Sequence, residues 1–449
     1  MAAEDEFWCN GPPRAIEVLV VPNEPLSTMR APGDPSRRQV IAWALYDWGN
    51  SAFALSVLTV FFPVFLGRYW IGDAGVSSTF VLGMANGLAS LVIVVLAPIL
   101  GAIADAAAAR KRWLAAFAFM GALMCVLLGL VEAGQWPMAT LLFMLGVIGF
   151  SGANVFYDAL LVGVAGPADR ERVSAFGYAL GYLGGSVLFI LNALMVTKPG
   201  WFGLPDAATA TRLAFVSVGI WWAVFTVPLL KRVPEPEAVG AGRARGAVRA
   251  GLRQLAATLR HVRRYRAVVI FLVAYWFYID GVDTIVRMAV DFGQQLGFDT
   301  QDLILAILLT NLIGFPATIG FGLLARRIGA RRGILVGLGV YIAITIGAYF
   351  ISEAWHFYLL AAVVGLVQGG VQATSRAFYS RLIPTDRAAE FFGFYNMLGK
   401  FAAVLGPMMV GWTAAWSGDP RVAILTVLVL FVVGGGLLLR VPRDAGGNT

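Results

Sequence analysis

Residues 79–131 read TFVLGMANGLASLVIVVLAPILGAIADAAAARKRWLAAFAFMGALMCVLLGLV. Two apolar runs, 79–104 and 113–131, flank a short segment that carries Asp105, Arg110, Lys111 and Arg112. A bilayer core of about 30 Å needs roughly 20 helical residues to cross it. Both runs meet that length, and every charge in the stretch lies between them. The stretch reads as a transmembrane helical hairpin. Strands of a membrane barrel would be shorter and strictly alternating, which these runs are not.

The same grammar repeats along the chain. Apolar spans fall at 39–66, 79–104, 113–131, 136–165, 173–195, 210–230, 267–290, 301–325, 333–352, 355–382, 389–412 and 420–440, numbered spans 1 to 12. The expected fold class is an all-α membrane protein of twelve helices. Composition agrees: 59% of the 449 residues are hydrophobic and 13% charged, against about 25% charged in a soluble domain. This excludes a soluble enzyme, a disordered chain and a disulfide scaffold. Two cysteines and two histidines are too few for a metal cluster, so no cofactor is expected. The tyrosines and tryptophans near span ends (Tyr69, Trp70, Trp136, Trp201, Trp355, Trp416) fit interfacial belts.

Lysine and arginine set the expected orientation. With both termini cytoplasmic, 27 of the 34 basic residues fall on the cytoplasmic side and five on the other, while Arg376 and Lys400 lie inside spans. The expected organisation is a disordered tail 1–38, a six-helix bundle 39–230, a basic cytoplasmic linker 231–266, a second bundle 267–440 and a tail 441–449. Met29 is an alternative start. In the linker, Val248, Leu252, Leu255, Leu259 and Val262 recur at helical spacing, with Arg249, Arg253, Arg260 and Arg263 between them. That pattern predicts an amphipathic helix on an anionic leaflet. A solvated basic linker is the plainer alternative.

The halves repeat. Gly101-x8-Arg110-Lys111 recurs as Gly322-x8-Arg331-Arg332, and Pro167-x-Asp169-Arg170 recurs as Pro384-x-Asp386-Arg387. Two marks at nearly one offset, close to half the chain, predict two six-helix pseudo-repeats.

Gly101-Ala-Ile-Ala-Asp105-x4-Arg110-Lys111 resembles the loop 2–3 signature of the major facilitator superfamily. Tyr46-Asp47-Trp48-Gly49-Asn50-Ser51-Ala52-Phe53 resembles the first-helix signature of the autophagy-related vacuolar amino-acid effluxers and their bacterial "unknown major facilitator" relatives. Gly369-Gly370-x-Gln372-Ala373-x-Ser375-Arg376 is similar to that family's tenth helix. Leu382-Ile383-Pro384 and Glu390-Phe391-Phe392-Gly393 are similar to its next loop and eleventh helix. In span 4, where the family usually shows Tyr-Asn-Ala-Phe-Leu-Pro, this chain has Tyr157-Asp158-Ala159-Leu160-Leu161-Val162. In the second loop signature, Arg326 takes the aspartate's place. The resemblance implies a central cavity lined by spans 1, 4, 7 and 10. It also implies that Asp105 meets the start of span 11 and that Arg110, Lys111 and Glu390 belong to a cytoplasmic gate.

Charge inside a bilayer is costly, about 2.5–3.5 kcal/mol per residue on insertion scales, so it should face a cavity or a partner. The buried polar residues concentrate on those same spans: Asp47 and Asn50; Asn154 and Asp158; Asp280, Asp283 and Arg287; Gln368, Gln372 and Arg376. Span 11 adds Asn396 and Lys400. Asp47, Asp158 and Arg376 each lie seven or eight residues from the cytoplasmic end, roughly 11 Å deep at 1.5 Å per residue. They are expected to form one charged layer. Arg376 or Lys400 would hold a carboxylate and an aspartate would hold an amine or a proton; alternatively the same charges latch the halves together. Arg287 is expected at the outer interface.

The expected function is secondary transport by alternating access, not an enzymatic reaction. The resemblance implies an amino acid or similar zwitterion, moved outward, and the buried aspartates point to protons as the coupling ion. The alternatives are a non-transporting receptor and a membrane-embedded lipid-modifying enzyme, which would need an interfacial acid–base pair; His356 has Glu353 nearby, but both sit in a short outer loop. The expected partners are a small-molecule substrate and the bilayer, without nucleic acid. The expected location is a bacterial inner membrane, as a monomer.

Overall fold

The structure, a computed structural model, describes residues 36–72, 75–236, 246–401 and 405–442. Both terminal tails and the alternative start lie outside these residues, except for a few tail residues next to the first and last helices. The described residues from 36 onward belong to one compact unit. They contain twelve helices long and apolar enough to cross a membrane and, among themselves, no strand. These are α1 (Arg37–Ile71), α2 (Ser78–Ala107), α3 (Arg110–Leu128), α4 (Trp136–Val164), α5 (Arg170–Thr197) and α6 (Ala207–Arg232), then α7 (Arg266–Gln295), α8 (Thr300–Ile328), α9 (Ala330–Tyr349), α10 (Ala354–Leu382), α11 and α12 (Pro420–Leu438). α11 is described in two pieces, Ala388–Phe401 and Leu405–Ser417. A separate helix, Ala247–Arg260, sits in the linker between α6 and α7.

α1 starts two residues before the apolar run because Ser36 caps it. The Ser36 hydroxyl accepts from the Gln39 amide at 3.2 Å, and the Gln39 side chain accepts from the Ser36 amide at 2.7 Å. That reciprocal box satisfies two donors that a helix start leaves open. Further along, α1 widens into a π-helical register over Phe53–Phe61.

The turn after α2 has a different logic. Ala106-Ala107-Ala108-Ala109 would continue a helix by propensity. Instead Ala108 takes φ +46°, a left-handed position that costs a non-glycine residue roughly 1–2 kcal/mol. The Arg110 guanidinium donates to Asp105 across this turn at 2.6 Å, which offsets that cost.

Close helix packing follows the small residues in part. On α5, Gly177, Gly181 and Gly185 face Trp43, Ser51 and the backbone of α1, where any side chain would collide. Gly365 meets the α8 backbone at Thr310. Gly83 and Gly87 on α2 have no described residue within reach of an added β-carbon, so they pack against no helix among the described residues. The same helix shows Phe80, Met84, Leu88, Leu91 and Val95 on its exposed side, as a lipid-facing stripe requires. Trp201, Trp355 and Trp416 are exposed near helix ends. Trp70 is not a belt residue: it is fully buried among Phe62, Phe65 and Phe215.

Candidate functional site

The basic loops close one end of the molecule. Asp105, at the end of α2, accepts from the amides of Ala389 (3.2 Å) and Glu390 (2.8 Å) at the start of α11. A carboxylate is favoured there by the positive end of the helix dipole. Arg110 also donates to the carbonyls of Thr385 and Asp386, each at 3.1 Å. Lys111 contributes its amide, which donates to Glu235 at 3.0 and 3.1 Å. Burial pushes the Glu235 carboxyl up, against the lowering effect of the Lys111 and Arg110 amides.

The second seam joins α5 to α10. Arg170 donates to the Ser380 carbonyl at 2.6 Å, Ser174 to the Ala373 carbonyl at 2.8 Å, and Arg381 pairs with the buried Glu171. Sequence reasoning does not single out these residues as a seam; the repeated Pro-x-Asp-Arg mark beside Arg170 is the available signal. Arg326, in the place of the second aspartate, pairs with Asp169 at the start of α5 at 3.5 Å. The pseudo-repeat thus keeps a contact at both places with the charges exchanged. This second pair is about half exposed, and such pairs contribute little.

Gly101 stands where α2 crosses α11, and a β-carbon there would run into the backbone of Ala389 and Glu390. Backbone cannot swing aside as a side chain can. Gly101→Val is expected to open this end, at a cost of about 1–3 kcal/mol for overpacking. Faster thiol labelling of an introduced cysteine at Ser380 would show it; unchanged labelling would contradict it.

Above the closed end lies a cavity of about 500 Å³. Its floor is the charged layer. Its lining runs from there to Phe292, Ile351, Phe357 and Ile424 at the opposite end. No described residue of the basic-end loops lines it.

The structure brings together eight of the eleven predicted binding residues on this cavity: Asp47, Asn50, Asn154, Asp158, Gln368, Gln372, Arg376 and Asn396. Arg376 lies between two carboxylates, 3.0 Å from Asp158 and 3.8 Å from Asp47. Its Nε donates to the Ser174 hydroxyl at 2.9 Å and another nitrogen to the Ser174 carbonyl at 3.0 Å. The rings of Trp43, Tyr157 and Tyr178 surround it at 4.3–5.3 Å. Cation–π contact of this kind is strongest where water is excluded. Tyr157 donates to Asp47 at 2.9 Å, Asn396 to Asp158 at 3.1 Å, and Asn50 to Asn154 at 2.7 Å. Sequence reasoning misses Trp43, Tyr157, Ser174 and Tyr178, although the aromatic-rich Tyr46–Phe53 motif lies beside the first.

Arg376 therefore meets a different fate from the one expected. It is 2% exposed, and its donors are committed to Asp158 and Ser174. In this conformation it has no open fork for a substrate carboxylate.

Asp280, Asp283 and Lys400 do not line the cavity. Asp280 instead accepts from the amides of Leu405 (3.1 Å) and Gly406 (3.1 and 3.2 Å) on α11. Asp283 and Lys400 are half-buried, and Arg287, one turn further along α7, is exposed. The pair considered for an enzyme is a helix cap: the His356 ring accepts from the Glu353 amide at 3.2 Å at the start of α10.

The fold has solved counterparts. FucP, a major facilitator superfamily transporter in its outward conformation, superposes with a TM-score of 0.68 over 91% of this chain and all of that one, at 11% identity. The proton:xylose symporter XylE gives 0.67 over 91% and 95%, at 16% identity. This is the major facilitator fold, and together with the family and the relative that follow it makes the chain a multi-pass membrane transporter. More narrowly, it belongs to the family described as "Vacuole effluxer Atg22 like", which it matches over residues 69–167 and 165–449. A relative from Bacillus subtilis, an uncharacterized MFS-type transporter YxiO, is 36% identical over 411 residues, 91% of this chain and 95% of that protein. Autophagy-related protein 22 of Yarrowia lipolytica is 28% identical over 306 residues, covering 61% of this chain and 51% of its own length.

Proposed function

We propose that this protein exports a small amine-bearing solute, an amino acid or similar zwitterion, by alternating access, with protons as the counter-ion. The observation that carries the reading is the composition of the cavity floor. Two carboxylates share one guanidinium, which leaves one excess negative charge if all three are ionised. That excess favours an ammonium group or a proton over an anion. Gln368, Gln372 and the Asn50–Asn154 pair line the cavity with it and offer hydrogen bonds to a carboxylate end. The volume lies within the range of small-molecule sites. Export rests on the family's description as effluxers. The basic end is the cytoplasmic side in this reading, which puts both termini there.

The test is counterflow in proteoliposomes with a panel of labelled amino acids, with and without an imposed pH gradient. Exchange of one class, stimulated by the gradient, is the expected result. Folded protein that exchanges none of the panel, nor simple amines, would overturn the substrate reading.

A further inference from the structure

The linker helix Ala247–Arg260 has three distinct stripes. On a helix of 3.6 residues per turn, Gly251, Gln254 and Thr258 share one, Val248, Leu252 and Leu259 the next, and Arg249, Arg253 and Arg260 a third, opposite the first. The first stripe is docked. Gly251 lies against the α2 backbone at Ala102 and Ile103, so closely that a β-carbon would not fit. Gln254 donates to the Glu390 carboxylate at 2.7 Å, and the Thr258 hydroxyl donates to it as well. Arg387 joins the same carboxylate at 2.9 Å.

Glu390 is fully buried, and its amide is one of the two that Asp105 holds. One residue thus ties α2, α11 and the linker helix together at the closed end.

The other two stripes are exposed. Val248, Leu252 and Leu259 are 57%, 46% and 56% exposed. Arg249, Arg253 and Arg260, with Arg263 and Arg264 just beyond, make no ion pair among the described residues. Apolar side chains beside a row of uncompensated arginines, at the end of a membrane bundle, match the chemistry of an anionic leaflet.

We propose that the linker helix is an anionic-lipid sensor that stabilises closure of the basic end through Glu390. The apolar stripe enters the leaflet and the arginines take the phosphate headgroups. A helix held in that position keeps Gln254 and Thr258 on Glu390, and the Glu390 amide on Asp105. Without anionic lipid the helix is held less firmly, and the closed end loses part of its support. The free energy available is differential binding of lipid to the closed and open states, which is what shifting such an equilibrium requires.

The experiment uses the full chain in nanodiscs of phosphatidylcholine, with or without phosphatidylglycerol, and two readouts that need no substrate. A spin label at position 252 reports depth in the bilayer. An introduced cysteine at Ser380 reports opening of the basic end. Phosphatidylglycerol is expected to draw the label deeper and to slow labelling at 380 severalfold. Combined Arg249→Gln, Arg253→Gln and Arg260→Gln should abolish both responses. Thr258→Val with Gln254→Leu should keep the depth response and lose the labelling response. Soluble glycerol phosphate should reproduce neither.

Labelling at 380 that ignores lipid charge overturns the proposal, as does a triple arginine variant that responds like wild type. A lipid-charge response that survives Thr258→Val with Gln254→Leu overturns the route through Glu390. Failure of any of these leaves the substrate reading untouched.

Discussion

Arg376→Ala is expected to abolish counterflow, and Asp47→Asn to reduce it by about tenfold to a hundredfold. Among the described residues Arg376 is the one cation on the cavity lining, and it separates Asp47 from Asp158. Removing it leaves two carboxylates facing each other with no counter-charge. Breaking a buried pair by deleting one partner costs about 3–5 kcal/mol. At about 1.4 kcal/mol per tenfold, that is at least a hundredfold loss in any step that uses the layer. Asp47→Asn keeps the shape and the Tyr157 contact point but removes the excess negative charge on which amine binding depends.

Arg376→Ala is also the variant most at risk of misfolding, because Ser174 and Asp158 lose their donor. Asp158→Asn controls for this. It leaves Arg376 paired with Asp47 and the layer neutral, so the protein should stay folded while its preference for amines falls. Monodispersity in detergent and helical content separate folding from transport. If Asp47→Asn and Arg376→Ala both fold and both exchange substrate at the wild-type rate, the charged layer is only a latch between the halves, and the site lies elsewhere.

Asp105→Asn is expected to shift the protein toward forms open at the basic end. The Asp105 carboxylate accepts from Arg110 at 2.6 Å, Ala389 at 3.2 Å and Glu390 at 2.8 Å. An asparagine offers one acceptor oxygen and no charge. Hydrogen bonds to a charged group contribute about 1.5–3 kcal/mol each, so losing about 2 kcal/mol of differential support shifts the ratio of states by roughly thirtyfold. Thiol labelling at position 380, in a background with Cys9 and Cys125 replaced by serine, measures this directly. Ser380 is fully buried under Arg170 in the closed form. A labelling rate unchanged by Asp105→Asn would show that the α2–α11 contact does not hold this end shut.

The charged layer and the closed end differ in how far they are legible in sequence. The twelve spans, the basic loops and the internal repeat follow from hydropathy and charge along the chain. A bilayer imposes those patterns locally: every span must be long, apolar and helical regardless of its neighbours. Asp105 with Arg110 is legible for the same reason, since five residues and one turn bring them together. The grouping of polar residues on spans 1, 4 and 10 is legible from helical period, because residues three or four apart share a face.

Tertiary structure decided what each charge does. Arg376 and Asp158 are 218 positions apart, and no local pattern says that the guanidinium is already occupied. Asp280 and Asp158 look equivalent in sequence, both carboxylates deep in a span. One faces a cavity, and the other takes backbone amides of α11, because the rotation and packing of whole helices determine which face meets which neighbour. The arginines of the linker are plain in sequence. That the opposite side of the same helix holds Glu390 is not, because the contact spans 132 and 136 positions and depends on how the linker helix docks against α11.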